Sequence, residues 1–142
     1  MNTQQALARL DAAAAAQQLS CGAAENIRQW LTQPRYAAYA AAVREHVANG
    51  QWQLLDDVFW TVIPFGTGGR RGRMYPIGTN AINDRTIGES AQGLADYVRA
   101  QAAPQAPRSC AIAYDTRHRS RHFAELCAGI MAAAGFRVYM LD

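Results

Sequence analysis

A cluster of glycines and arginines directly follows an apolar run, and it constrains the fold and the chemistry of this chain more than any other stretch. We call residues 64–73 the glycine loop; it contains Gly66, Gly68, Gly69 and Gly72 together with Arg70, Arg71 and Arg73. Because glycine has no Cβ, its backbone can take a positive φ and a ligand can approach the main-chain amides. An arginine guanidinium can grip phosphate oxygens in pairs. The cluster therefore favours a phosphate-binding loop, with a solvated turn as the alternative.

The glycine spacing excludes two common phosphate-binding motifs. The third glycine of the dinucleotide-binding fingerprint is missing at its offset from Gly66 and Gly68. No Gly-Lys-Ser/Thr follows, so the segment is not a P-loop. A phosphate site here would have to be of another kind.

Charge and composition narrow the function classes. The chain has 142 residues, enough for one domain and one core, with a net charge of +3 and a pI of about 9.0. All 14 basic residues are arginine, which favours anion recognition; a general arginine bias is the alternative, and we favour it for Arg9, Arg28, Arg35, Arg44 and Arg99. The arginines are not interleaved with stacking aromatic residues, which argues against a nucleic-acid-binding domain.

Cysteine usage and hydropathy indicate a reduced compartment. Cys21, Cys110 and Cys127 are odd in number and show no Cys-x-x-Cys spacing. No signal peptide is recognisable after Met1, and no apolar run approaches membrane-spanning length. The sequence therefore predicts a cytoplasmic protein without a membrane segment.

The first part of the chain has helical periodicity. Helices are predicted at 3–19, 26–32 and 36–50, with Cys21 and Gly22 separating the first two. Trp30, Tyr36 and Tyr39 form a stripe that is either packing or a partner surface. We expect residues 1–57 to form a helical N-terminal extension.

Residues 58–142 alternate between strand and helix patterns. Val58–Ile63 is β-branched and aromatic, which predicts a strand that would place the glycine loop at the carboxyl edge of a sheet, where α/β proteins bind ligands. The further predicted elements are a short strand at 73–77, a helix opened by a Thr86–Glu89 capping box, a linker at 101–108, a strand at 110–114, a helix capped by Ser120, and a strand at 136–141. This order predicts a three-layer α/β/α fold with a mostly parallel sheet.

Three ordered segments resemble the α-D-phosphohexomutases, the phosphoglucomutase and phosphomannomutase family. Phe65–Gly72 is similar to the family's Phe-Gly-Thr-x-Gly-x-Arg-Gly signature, and Ala113–Arg117 is similar to its Gly-x-Asp-x-Arg segment. Between them, Asn80–Asn83 and Ala91–Tyr97 resemble bacterial phosphoglucomutases. The resemblance covers about Gln51 to Asp142 and implies an incomplete first α/β/α domain.

The resemblance implies an intramolecular phosphotransferase that interconverts hexose 1-phosphate and hexose 6-phosphate through a hexose bisphosphate, with Mg²⁺. Arg71 matches the signature arginine, so it is the first candidate for contacting a substrate phosphate, with Thr67, Gly68 and Gly69 beside it. Arg70 occupies a variable position and is a supporting residue. An ion pair between Arg71 and Asp115 is the alternative to phosphate binding.

Asp115 and Arg117 could orient the phosphate site from behind it, or could form a purely structural pair. His118 and His122 are four residues apart, a spacing that suits a metal, but no third ligand is near and we favour surface histidines. His46 has no recognisable partner in the sequence.

The chain departs from the family where the chemistry is performed. It contains neither the Thr-x-Ser-His-Asn-Pro-type loop of the phosphorylated serine nor the Asp-Gly-Asp-type magnesium loop. We therefore predict no catalytic residue and no metal ligand in this chain. We expect an N-terminal fragment, ending at Asp142 directly after a strand, whose partners are a phosphorylated hexose and the remaining domains. A non-catalytic phosphate-binding or interaction module is the alternative.

Overall fold

The computed structural model describes residues 1–103 and 106–141. Along the chain the elements are α1 (Thr3–Ala15), α2 (Cys21–Thr32), a 3-10 helix (Pro34–Tyr36), α3 (Ala37–Ala48), α4 (Trp52–Phe59), α5 (Asp84–Gln101), β1 (Ser109–Ala113), α6 (Ser120–Ala133) and β2 (Arg137–Leu141). Contacts divide the chain into two compact units, Met1–Asn83 and Asp84–Asp142. Pro104 of the predicted linker and the chain end at Asp142 lie outside the described residues. None of the described helices is both long and apolar enough to cross a membrane.

Four helices of the first unit bury their apolar faces in a common core. The buried positions are Ala6, Leu10 and Ala13 of α1, Ile27, Trp30 and Leu31 of α2, Val43 and Val47 of α3, and Leu55, Val58 and Phe59 of α4. The Trp30 ring stacks on Tyr36 with centroids 4.8 Å apart and meets Phe59 edge-on at 5.2 Å, two arrangements that aromatic quadrupoles favour. The predicted helical N-terminal part is confirmed, and Trp30 and Tyr36 serve packing.

The first two helix boundaries differ from the prediction. Helix α1 ends at Ala15, and α2 begins at Cys21 rather than Asn26. The Ser20 hydroxyl accepts a hydrogen bond from the Ala23 amide at 3.2 Å and so caps α2. Because this cap satisfies a first-turn amide, Cys21 can begin the helix instead of breaking the chain.

The predicted strand at Val58–Ile63 is wrong. Residues 52–59 form α4, and the chain continues from Trp60 to Phe65 without regular secondary structure. Branched and aromatic residues favour strands only weakly, whereas Leu55, Val58 and Phe59 are spaced as one face of a helix and pack in the core. The glycine loop therefore follows a helix, and the argument from a sheet edge does not apply to it. The short strand predicted at 73–77 is reduced to a single bridge between Met74 and Ile82.

The second unit contains a two-stranded parallel sheet. Strand β1 pairs with β2 from Ser109 opposite Arg137 to Ala113 opposite Leu141, and α6 connects the two strands, as parallel pairing requires. Ala95 of α5, Met131 of α6 and Phe136 form the buried centre. The predicted parallel α/β arrangement is confirmed. Strand β1 begins and ends one residue earlier than predicted, and β2 begins one residue later.

Both helix starts predicted in this unit are wrong. Helix α5 begins at Asp84, so Thr86 lies in its first turn and is 2% exposed, while Glu89 accepts from the Arg85 Nε at 2.8 Å. Ser120 is the first residue of α6 rather than its cap, and its hydroxyl accepts from the Asp115 amide at 3.2 Å. In each place one predicted capping group, the Glu89 carboxylate or the Ser120 hydroxyl, has another partner.

Candidate functional site

The glycine loop rises from a base that hydrogen bonds hold closed. The Ile63 amide donates to the Thr79 carbonyl at 2.8 Å, and the Asn80 amide donates to the Val58 carbonyl at 2.8 Å. The Thr79 hydroxyl, 8% exposed with its residue, donates to the Thr61 carbonyl at 2.6 Å. Because both ends of residues 64–78 are fixed, the loop starts and returns at defined positions.

Gly78 allows this base to close. Its φ is +112°, a conformation that L side chains rarely adopt. A Cβ at this position would lie 2.4 Å from the Val58 carbonyl oxygen. The Gly78 carbonyl accepts from the Asn83 side-chain amide at 3.0 Å, and Asn83 is 1% exposed. The close approach of α4 to the returning chain therefore requires glycine.

The tip of the loop is a tight antiparallel turn. The Gly66 amide donates to the Gly69 carbonyl at 2.9 Å, and the Gly69 amide donates to the Gly66 carbonyl at 3.2 Å. Gly69 has a φ of +114°. Within residues 1–103 and 106–141, the amides of Thr67 and Gly68 have no hydrogen-bond acceptor. Two exposed main-chain donors thus stand at the tip, as in the amide concavities that bind anions.

A small cavity lies against this turn. Its volume is about 200 Å³, and it is lined by Pro64, Gly66, Thr67, Gly68, Gly69 and Arg71. Cavities for whole small-molecule ligands occupy about 300–1,000 Å³, so this one suits a single ionic group better than a complete sugar. The structure brings together Thr67, Gly68, Gly69 and Arg71, the four residues predicted from the sequence to bind phosphate.

Arg71 gives the cavity its charge. It is the one arginine among the lining residues, which include no carboxylate. Its side chain is exposed, and within the described part of the chain it takes part in no ion pair or hydrogen bond. Arg70 is half-buried and does not line the cavity, whereas the Arg73 guanidinium lies over the Tyr75 ring at 5.4 Å from its centroid. A guanidinium free of carboxylates is available to an anionic ligand.

Asp115 and Arg117 form a closed pair within one exposed loop of the second unit. The Asp115 carboxylate accepts from the Arg117 amide at 3.0 Å and from its Nε at 2.7 Å. The hydrogen bond from the Arg117 backbone holds the pKa of Asp115 below its ordinary value. Contacts from the Arg117 and Ser120 side chains lower this pKa further, although partial desolvation opposes them. The pair explains the local loop geometry; its support of a phosphate site stays a prediction.

His118 of this loop and His122 of α6 differ in their contacts. His122 Nε2 lies 2.9 Å from an Asp84 oxygen that also accepts from the Arg119 guanidinium at 2.9 Å. His118 is exposed. Among the described residues no group of three or more His, Cys, Asp and Glu side chains is arranged to hold a metal ion. The described residues therefore do not fit a magnesium site.

Sequence reasoning missed the residues that support the loop. His46, which has no partner recognisable from the sequence, contacts the Tyr75 hydroxyl, and Thr79 and Asn83 fix the base. These bonds join residues up to 29 positions apart in the chain, a separation at which no periodicity or short motif identifies a partner. A polar residue flanked by turn-forming residues, as at Gly78-Thr79-Asn80, was the one available signal.

Comparisons with known proteins agree with the sequence motifs. Residues 63–142 match the family described as phosphoglucomutase/phosphomannomutase, alpha/beta/alpha domain I. The chain is 31% identical over 120 residues to human phosphopentomutase, covering 80% of this chain and 19% of that protein. It is 37% identical over 82 residues to a Staphylococcus epidermidis phosphoglucomutase, covering 58% of this chain and 14% of the relative. A phosphoglucomutase of Staphylococcus aureus strain USA300 is 38% identical over 84 residues, which are 59% of this chain and 14% of that protein.

No solved structure matches the chain significantly. The chain spans between 14% and 19% of the length of the curated relatives it matches. The family match nevertheless covers more than half of the chain and contains the glycine loop, both strands and α6. The chain therefore belongs to the phosphoglucomutase/phosphomannomutase family and carries sequence of its alpha/beta/alpha domain I.

Proposed function

We propose that the chain supplies part of the phosphate-binding site of a sugar-phosphate mutase, which transfers a phosphoryl group within a hexose phosphate between its 1- and 6-positions. The observation that carries this proposal is the cavity formed by Arg71 and the turn at Gly66–Gly69. It combines a guanidinium, a threonine hydroxyl and two main-chain amides at one place. These are donors of the kind that phosphate oxygens accept.

The chemistry of phosphoryl transfer explains why such donors are useful. The transferred group carries negative charge on its equatorial oxygens, and fixed donors stabilise this charge without reorganising during the reaction. Arg71 would bind two phosphate oxygens through its planar fork, and the Thr67 hydroxyl and the Gly68 amide would bind others. Because the base of the loop is closed by hydrogen bonds, these donors are held ready before the ligand arrives.

In this proposal the described residues supply groups that bind phosphate, and residues elsewhere supply the metal site and the phosphorylated serine. When bound, Mg²⁺ would supply electrostatic stabilisation of the transferring phosphoryl group, but no described residues of this chain fit it. The chain also contains no Thr-x-Ser-His-Asn-Pro-type loop for a phosphorylated serine. We therefore propose that this chain binds phosphorylated sugars and that its remaining partners are further domains of the same cytoplasmic polypeptide. The division into residues 1–57 and 58–142 is part of this proposal.

A titration of the 142-residue chain with inorganic phosphate, followed by amide NMR, tests the phosphate site. We expect the signals of Thr67, Gly68 and Gly69 to shift and Arg71→Ala to weaken binding about tenfold or more, because hydrogen bonds to charged groups contribute ~1.5–3 kcal/mol each. Arg9→Ala is the matched control, since it removes the same charge from an exposed position of α1. Equal loss of affinity in both variants would show that only net charge matters and would contradict the proposal.

The same titration with glucose 1-phosphate tests whether the chain binds a sugar phosphate without converting it. We expect binding without conversion to glucose 6-phosphate, because the sequence lacks the phosphorylated nucleophile. Turnover by the purified 142-residue chain would show that another group performs the transfer. Phosphate binding by the native protein without any mutase turnover would instead favour a non-catalytic phosphate-binding module.

A phosphopentose is the second candidate substrate. The similarity to human phosphopentomutase extends over 120 residues, whereas the similarity to the S. epidermidis phosphoglucomutase extends over 82. The longer match reaches beyond the residues shared with the domain I family and therefore includes part of the helical unit. Relative turnover of ribose 1-phosphate and glucose 1-phosphate by the native protein distinguishes the two substrates.

A further inference from the structure

A hydrogen bond connects helix α3 with residues 74–78, which lead from the glycine loop back to its base and which we call the returning limb. His46 of α3 lies with its Nε2 2.7 Å from the Tyr75 hydroxyl, and the two rings meet edge-on with centroids 5.7 Å apart. Both side chains are half-buried, and Tyr75 packs against the core of the first unit. The contact joins positions 29 residues apart. It belongs neither to the base of the loop nor to the cavity lining.

A second hydrogen bond fixes the orientation of the His46 ring toward Tyr75. The Nδ1 of His46 lies 2.8 Å from the Ala42 carbonyl oxygen, one helical turn earlier. A carbonyl can only accept, so Nδ1 carries a proton, and when the ring carries no second proton Nε2 accepts from the tyrosine hydroxyl. The imidazole thus connects a main-chain carbonyl of α3 to Tyr75 in one defined orientation.

Tyr75 in turn fixes the end of the glycine loop. Its amide donates to the Ile82 carbonyl at 3.2 Å, and the Ile82 amide donates to the Arg73 carbonyl at 2.8 Å. The guanidinium of Arg73 lies over the Tyr75 ring at 5.4 Å, within the range of a cation–π contact. Tyr75 is four residues after Arg71, and these contacts limit where the chain between them can run.

We infer that His46 is a positioning residue for the phosphate site: through Tyr75 it holds the returning limb so that Arg71 stays at the cavity. This inference rests on the proposed function of the cavity. Binding an anion to a loop that is already ordered avoids the entropy cost of ordering it. The helical unit therefore contributes to ligand affinity as well as to the stability of the fold.

Affinity for inorganic phosphate, measured with the 142-residue chain by amide NMR, tests the inference. Tyr75→Phe keeps the ring and removes the hydroxyl, and His46→Leu removes the acceptor. We expect each variant to weaken phosphate binding about threefold to tenfold, the size of one neutral hydrogen bond. His46→Gln retains an acceptor that can reach the tyrosine hydroxyl, so it should recover most of the affinity.

A double variant and a control complete the design. Because both single changes break the same bond, the double variant His46→Leu/Tyr75→Phe should bind phosphate no more weakly than the weaker single variant. Tyr97→Phe is the matched control, since Tyr97 is exposed on α5 and loses the same hydroxyl. Thermal unfolding of every variant separates a loss of affinity from a loss of folding.

The outcomes separate this inference from the function on which it rests. If the unaltered chain does not bind phosphate, the proposed function is wrong and the inference falls with it. If the unaltered chain binds phosphate, and Tyr75→Phe and His46→Leu lower the melting temperature but bind it equally well, the pair is purely structural and the inference alone is overturned. Additive losses in the double variant would also overturn it.

Discussion

Replacing Gly78, at the base of the glycine loop, by alanine should destabilise the first unit more than the same change at Gly69. The new Cβ would lie 2.4 Å from the Val58 carbonyl oxygen and 2.7 Å from the Val58 Cβ, and the φ of +112° is unfavourable for any L residue. The unfavourable backbone conformation costs ~1–3 kcal/mol, and overpacking against an immobile neighbour costs another ~1–3 kcal/mol. We expect Gly78→Ala to lower the free energy of unfolding of the first unit by ~2–6 kcal/mol, the sum of these two costs.

Gly69 offers a matched comparison for this change. Its φ of +114° is nearly the same as that of Gly78, but a Cβ there would meet no atom within 4 Å. Gly69→Ala should therefore cost only the conformational part, ~1–3 kcal/mol. The difference between the two variants measures the steric contact with Val58 alone.

Urea unfolding followed by tryptophan fluorescence is suited to both variants. Trp30, Trp52 and Trp60 are the three tryptophans of the chain and all belong to the first unit, as do both glycines. The fluorescence change therefore reports the unit that is altered. Equal destabilisation by Gly69→Ala and Gly78→Ala, at unchanged denaturant dependence, would refute the claim that close approach to Val58 makes Gly78 necessary.

Two further predictions concern ionisable groups of the second unit. The Asp115 carboxyl should titrate below its ordinary value in ¹³C NMR, and Arg117→Ala should restore this value only in part, because the Arg117 backbone amide is the largest cause of the lowered pKa. Since the folded-state pKa is the lower one, the contribution of Asp115 to stability is present above the unfolded-state pKa and is lost as the pH falls through the folded-state pKa; full recovery of the ordinary value in Arg117→Ala would contradict the assignment. Burial raises the pKa of the Cys127 thiol, so iodoacetamide should modify exposed Cys21 well before Cys127, with similar rates in denaturant; equal rates in the folded protein would contradict the burial.

The sequence predicted those parts of the fold that local patterns encode. Apolar residues three and four positions apart predicted α1, α2 and α3 of the first unit but not α4. The short apolar runs near Ile112 and Val138 predicted the two parallel strands. The helix ends were less accurate. At Thr86 and Ser120 the sequence offers plausible caps. In the structure Glu89, the predicted partner of Thr86, accepts from Arg85 instead, and the Ser120 hydroxyl accepts from the Asp115 amide.

The segment that begins at Val58 shows why one strand prediction failed. Its residues favour a strand when considered alone, yet the burial of Val58 and Phe59 with Leu55 requires helical spacing. A preference of that kind is worth little beside the burial of several large side chains. Whether strand preference or burial on a helix face prevails depends on what the segment packs against, and the sequence does not specify this.

For the candidate site, the sequence alone determined which chemical groups are present: glycines that free the main-chain amides, a threonine hydroxyl and the Arg71 guanidinium, all within a few residues. The tertiary structure alone decided how they are held, because the hydrogen bonds from Thr79 to Thr61 and between His46 and Tyr75 join residues that are 18 and 29 positions apart in the chain. Chemical groups that are neighbours in the chain can be recognised directly from the sequence. Contacts that close a loop depend on where folding brings separate segments together, and for that reason only the structure showed them.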